Sequence, residues 1–275
     1  MGVVSASLLP HPPILIEDIG GPELEKAKKT VQGFKKTSNQ LANLKQEIDL
    51  VVFITPHGPL FKSAASIIIQ EELKGDFREF GFPQLEFREK SDINFSEKLI
   101  QNAKEKSLKL QALRKKDLKN YDIKQELDHG IMVPLHYLKK AGLNKEIIPI
   151  SIGFISYQNL YKIGQEIAQT AQELNYNIAV IASGDLSHRL EKGAPAGYNS
   201  DAHIFDEKLL KYFKEKDFES ILNFDSDLVE KAGECGLRPI ITMLGALSET
   251  NIKLKLNSYQ APFGVGYGTI FIRTE

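Results

Sequence analysis

Short apolar runs alternate with longer charged stretches along most of the chain. Val3–Leu9 and DLVVFIT at Asp49–Thr55 are compact runs rich in β-branched residues, a pattern that predicts buried strands. Similar runs predict strands at Ala64–Gln70, Gln84–Phe87, Glu146–Ile152, Asn177–Ala182, Ile252–Gln260 and Gly266–Arg273. The charged stretches between them read as amphipathic helices at Pro22–Ile48, Phe95–Ser107, Ile131–Ala141, Gln158–Leu174, Ser200–Lys214 and Cys235–Ser248. Pro22 falls in a first turn, where its missing N–H does no harm. The alternation predicts an α/β fold: one domain over residues 1–275, with a central mixed β-sheet flanked by helices on both faces. The two closing strands bring antiparallel pairing into that sheet. Lys104–Lys119 is rich in lysine and reads as solvated surface.

Composition narrows the classes. A length of 275 residues fits one large α/β domain, and a hydrophobic fraction of 42% supplies a core and argues against disorder. Lys+Arg is 35 and Asp+Glu is 36, a net charge of −1 that excludes nucleic-acid binding by gross charge. The single cysteine excludes a disulfide framework and every CxxC zinc site. Met1–Ile16 lacks a basic leader region and is broken by His11-Pro12-Pro13, and no apolar run reaches ~18 residues. The expectation is a cytoplasmic protein with neither a membrane nor a nucleic acid as partner.

The six histidines carry the chemistry. His11 follows the first strand, in LLPHPP, and His57 the second, in ITPHGP. His129 sits in LDHGIMVPLH with His136 seven residues later, and His188 follows NIAVIA, in SGDLSHRL. A single loop histidine is ordinarily a polar surface residue. Several at strand ends, most beside Pro or Gly, point to one shared site, because ligands of α/β sheets bind at the carboxyl ends of strands. His203 lies inside a charged helical stretch and reads as structural or as a residue behind the site's own ligands.

Two imidazoles and a carboxylate hold iron with open positions for O₂ and substrate. Zinc takes the same set with a water in the fourth position. The third ligand must be acidic or a thiolate, and AGECGLRP at Ala232–Pro239 offers Glu234 and Cys235. Adjacent residues of a helix point ~100° apart, so one of the two faces the metal. Equally, Glu234 is a favourable charge at a helix start and Cys235 a small buried hydrophobe.

Six segments in order resemble the class III extradiol ring-cleavage dioxygenases of the LigB type, near the Memo-like branch also described as the AmmeMemoRadiSam system protein. They are PHPPILI at Pro10–Ile16, TPHGP at Thr55–Pro59, DHGIMVPLHYL at Asp128–Leu138, SGDLSHRL at Ser183–Leu190, AGECGLRPI at Ala232–Ile240 and PFGVGYG at Pro262–Gly268. The last is not a dinucleotide fingerprint, because a strand and not a helix follows it.

The resemblance implies a LigB-like fold with Fe(II) held by His11, His57 and Glu234, and Zn(II) as the alternative ion. In Memo-like proteins a cysteine occupies a comparable position, which here is Cys235. His188 matches the family's acid/base histidine and His129 the one that contacts substrate. Asp128 and Asp185 are placed behind the ligands, where a carboxylate fixes a histidine tautomer, or at loop caps. His136 would lie two turns along the helix and line the pocket or pack. The implied partners are a small aromatic diol, O₂ and a second copy of the chain. The implied reaction is extradiol ring cleavage. The alternatives are a Memo-like metal- or peptide-binding protein without oxygen chemistry, and a zinc hydrolase with water as nucleophile.

Overall fold

Strands buried on both faces must alternate between two cores, and this sheet does so residue by residue. The computed structural model describes residues 1–275. In chain order the elements are β1 (Gly2–Leu9), α1 (Glu17–Gly20), α2 (Lys28–Ala42), β2 (Leu50–Thr55), β3 (Ala65–Ile68), β4 (Glu72–Phe77), β5 (Phe82–Lys90), α3 (Ile93–Glu105), β6 (Leu110–Leu113) and α4 (Lys115–Asn120). They continue with α5 (His129–Lys140), β7 (Glu146–Ser151), α6 (Tyr157–Glu173), β8 (Asn177–Ser183), α7 (Ala202–Glu215), α8 (Phe218–Leu222), α9 (Ser226–Ala232), α10 (Leu237–Ala246), β9 (Ile252–Gln260) and β10 (Tyr267–Thr274).

Eight strands form one sheet in the order β6-β3-β7-β2-β8-β1-β10-β9. The neighbours β7, β2, β8 and β1 run parallel. β3 pairs antiparallel with β7, β10 with β1 and β9 with β10, so the sheet is mixed as the sequence predicts. Leu50, Val52 and Ile54 of β2 face one core, with Leu160 and Ile163 of α6, Phe205 of α7 and Ile240 of α10. Val51 and Phe53 face the other, with Phe34 of α2 and Ile131 and Leu135 of α5. Period-2 alternation therefore buries both sides of one strand against helices. No helix is long and apolar enough to cross a membrane.

The structure differs from the sequence reading where polar residues carry structure. The helix read over Pro22–Ile48 is a 3-10 segment over Gly21–Ala27 and then α2, which stops at Ala42. Lys45–Glu47 are exposed and offer no apolar face to extend it. The lysine-rich stretch holds the edge strand β6, paired with β3 and anchored by buried Leu113. β4 and β5 form a separate hairpin; the sequence reading marked only Gln84–Phe87 of it. β5 alternates half-buried with exposed residues, and only Leu73, Gly75, Asp76 and Phe77 of β4 are buried, so its apolar signal is thin. α10 begins at Leu237, two residues later than predicted, leaving Cys235 in the turn before it.

α6 and α10 cross in close contact. A Cβ on Gly164 would stand 1.9 Å from the Thr242 carbonyl oxygen. Backbone cannot retreat as a flexible side chain can, so Gly164→Ala is expected to cost ~1–3 kcal/mol or more through overpacking. Denaturant unfolding checks this: the midpoint should fall with little change in slope, and an unshifted midpoint would contradict the packing.

Candidate metal centre

The parallel order β7-β2-β8-β1 brings the carboxyl ends of adjacent strands to one edge of the sheet. His11 follows β1, His57 follows β2, and Asp185 and His188 follow β8. His129 is the first residue of α5, and Cys235 precedes α10. A Cβ on Gly184 would lie 2.3 Å from the Cα of Gly236. Two glycines in contact let the loop after β8 touch the turn before α10, which seats Cys235 beside Asp185. The Cys235 Sγ accepts the Asp185 N–H at 3.4 Å.

The donor atoms of His11, His57 and Cys235 lie within 4.8 Å of one another. His11 Nε2 is 2.8 Å from His57 Nε2 and 3.5 Å from Cys235 Sγ. The donor set fits an ion of the zinc or iron kind, provided the imidazoles are neutral and correctly oriented. Burial, with His57, His129 and His188 nearby, holds His11 well below the usual histidine range. Burial, then the neighbouring His188, lowers His57 to about 4. Burial, then His57, lowers His129 to about 3. All three are uncharged at pH 7 and carry lone pairs.

Orientation comes from a chain of hydrogen bonds that starts at a proline. Pro134 stands inside α5 and has no N–H to give the carbonyl of Gly130. That carbonyl accepts the Ser183 hydroxyl instead. With its proton so committed, Ser183 Oγ accepts from His11 Nδ1 at 2.9 Å. The proton of His11 is thereby fixed on Nδ1, and the Nε2 lone pair is turned to the cluster. The His11 backbone N–H donates to Asp185 Oδ1 at 2.9 Å.

Glu234 is turned elsewhere. Its Oε2 accepts the Leu237 N–H at 2.6 Å, at the start of α10, and burial raises its carboxyl to about 7. The alternative ligand, Cys235, is the one whose donor atom meets those of His11 and His57. Asp128 caps α5: one carboxylate oxygen accepts the Gly130 N–H and the Thr55 hydroxyl, both at 2.7 Å. Burial raises Asp185 to about 7, and its Oδ2 lies 4.0 Å from both His11 Nε2 and His188 Nε2. His188 Nε2 approaches Cys235 Sγ at 3.7 Å. His129 packs on His57 with ring centroids 4.2 Å apart. His136 stays outside the cluster, against Tyr137.

A cavity of about 580 Å³ opens beside His57 and His129. Phe80, at the tip of the β4–β5 hairpin, meets His129 edge-on at 5.2 Å and forms its apolar wall with Pro59 and Met132. Arg78, on the same rim, is held by Asp76 through Nε at 2.9 Å and Nη2 at 2.6 Å. Phe80 and Ser183 escaped the sequence reading. Ser183 had one signal, its place as the last strand residue before Gly184-Asp185.

Burial pushes the Cys235 thiol up, so it enters the reaction with an ion protonated, whereas the histidines enter neutral. At pH 8, above the values for Asp185 and Glu234, binding Zn(II) is therefore expected to release about one proton. The sign follows: affinity falls about tenfold per pH unit as pH drops, and more steeply only near the low values of the histidines. Calorimetry in buffers of different ionisation heat counts the protons, and release of none would remove the thiol from the ligand set.

A family profile described as the catalytic LigB subunit of aromatic ring-opening dioxygenase matches residues 5–270. Protein CA_C1420 of Clostridium acetobutylicum is 34% identical over 263 residues, which are 96% of this chain and 56% of that protein. MEMO1 family protein MJ0403 of Methanocaldococcus jannaschii is 31% identical over 137 residues, 48% of this chain and 45% of that one. The 3,4-dihydroxyphenylacetate 2,3-dioxygenase of Escherichia coli is 27% identical over 133 residues, 44% of this chain and 47% of that one. The chain spans about half the length of the curated relatives it matches. The crystal structure of the uncharacterised protein JW3007 of Escherichia coli K12 shares the fold, with a TM-score of 0.66 over 98% of this chain and 99% of that one at 14% identity.

Proposed function

We propose, on the premise that the chain belongs to the family of LigB catalytic subunits of aromatic ring-opening dioxygenases, that it opens the ring of a small catechol-like diol with O₂. The working ion is Fe(II), held by His11, His57 and Cys235. One observation carries the reading: three metal donors converge beside a cavity that His57 and His129 line, and a further histidine, His188, stands 3.7 Å from the Cys235 sulfur of the same cluster. A site that only stored an ion would have no use for His129 and His188.

A bound ferrous ion would supply the place where adjacent diol oxygens and O₂ meet. The chain's own residues do the rest. Phe80, Pro59 and Met132 offer an aromatic ring an apolar wall, and the cavity is of the size that takes a small ligand. Burial holds His188 below the usual histidine range, so at pH 7 its lone pair is free to take a proton from a substrate hydroxyl and return it later. His129, packed on His57 at the cavity mouth, donates a hydrogen bond to a substrate oxygen as negative charge develops there. The name of the Escherichia coli relative, a dioxygenase of a dihydroxylated aromatic acid, supports the substrate class.

The thiolate favours a second reading. Cysteine at a position where a carboxylate is expected suits a softer ion, and MEMO1 family relatives match about half of the chain. On that reading the protein binds metal without oxygen chemistry. Anaerobic loading with Fe(II), followed by O₂ uptake across a panel of catechols, separates the two. Uptake with a yellow ring-opened product is the expected result. Neither uptake nor colour from any catechol would leave the second reading standing.

A further inference from the structure

The cluster contains two triads of donors, not one. Besides His11, His57 and Cys235, the ligand atoms of Asp185, His188 and Cys235 also lie within 4.8 Å of one another. We propose that this second triad is a second metal position, with the Cys235 thiolate shared by two ions. The proposal rests on the reading of His11, His57 and Cys235 as an ion site.

The spacing is close to that of ligands around one ion. Bonds of ~2.0–2.3 Å around a tetrahedral ion place donors roughly 3.3–3.8 Å apart. His188 Nε2 lies 3.7 Å from Cys235 Sγ, within that range, and 4.0 Å from Asp185 Oδ2, a few tenths of an ångström beyond it. His11 Nε2 stands 3.5 Å from the same sulfur. Asp185 divides its two oxygens between tasks: Oδ1 accepts the His11 N–H, and Oδ2 is turned to the cluster. Imidazole, carboxylate and thiolate together suit Zn(II) and Co(II). Asp185 is buried and His188 half-buried, so this is a built site and not a patch of surface acids.

The second position has a regulatory consequence. His188 offers one lone pair to the cluster. An ion that takes it removes the base that the ring-opening reaction uses, so the one-ion protein is the active form and the two-ion protein is silent. Excess metal then inhibits.

Co(II) is the probe, added to the full metal-free chain. Two ions per chain are expected at saturation by elemental analysis after desalting. Asp185→Asn keeps an oxygen for the His11 N–H but loses the ligand charge, and should bind one ion. His188→Ala should also bind one. Paramagnetic resonance gives an independent signature: the Co(II) signal should grow through the first equivalent and shrink through the second, as the shared thiolate couples the spins. One ion per chain in the unaltered protein would overturn the proposal, and so would two ions in both variants or a signal that simply doubles. None of these readouts needs turnover. A chain that binds two ions at saturation but opens no ring with one ion bound would sink the proposed function alone, and a chain that opens the ring but never binds more than one ion would sink this inference alone.

Discussion

Cys235→Ser is expected to weaken Zn(II) binding by at least ~100-fold, with the fold intact. Zinc bound by four protein ligands contributes on the order of 10–16 kcal/mol, or roughly 3 kcal/mol for each donor. A serine hydroxyl stays protonated at neutral pH and cannot replace a thiolate. It can still accept the Asp185 N–H that Sγ now takes at 3.4 Å, so the turn before α10 keeps its local bond. The companion variant is Glu234→Gln. Its amide oxygen can still accept the Leu237 N–H at the start of α10, and Zn(II) affinity should change by less than about threefold. Competition titration against a chelator reads both. The opposite pattern, with the ion lost in Glu234→Gln and kept in Cys235→Ser, would return the carboxylate to the ligand set and end the thiolate reading.

His188→Ala should lower the turnover of the Fe(II)-loaded protein by ~10²–10⁴, the range for loss of a general acid or base. It should leave the first ion in place, since the triad of His11, His57 and Cys235 does not include it. His11→Ala should lose both ion and turnover. The contrast matters more than either result, because a collapsed cluster would lose the ion in both variants. If His188→Ala also fails to retain Fe(II), His188 is a ligand of the first ion and its assignment as a base is wrong. A rise in KM with kcat unchanged would instead mark it as a substrate contact.

Much of the candidate site's geometry is legible in the sequence, for a physical reason. His11, His57, Asp185 and His188 each follow an apolar run that could only be a buried strand, and parallel strands deliver their carboxyl ends to one edge. His129 is marked by its place beside Gly130, just before the helix predicted over Ile131–Ala141. Other parts were hidden. The choice between Glu234 and Cys235 turned on where α10 begins, and a start two residues late puts both in a turn, where helical angles do not apply. His136 shares a helix with His129 but lies ~10 Å further along its axis, which carries it past the cluster. Phe80 rides on a hairpin with a solvated face, which leaves almost no apolar periodicity to detect. Ser183 looked like an ordinary strand end, because its task depends on Pro134, far away in sequence.

Pro134 also sets stability against function at a single position. A proline inside a helix costs ~3 kcal/mol relative to alanine. Alanine there would return an N–H to the Gly130 carbonyl and strengthen α5. The Ser183 hydroxyl would then share its acceptor with that N–H, and its proton would be held less firmly away from His11 Nδ1, which loosens the fix on the ring's tautomer. Selection for heat resistance alone would discard this proline, and selection for ion binding would restore it. Stability and ion binding thus pull in opposite directions at the least helical residue of α5.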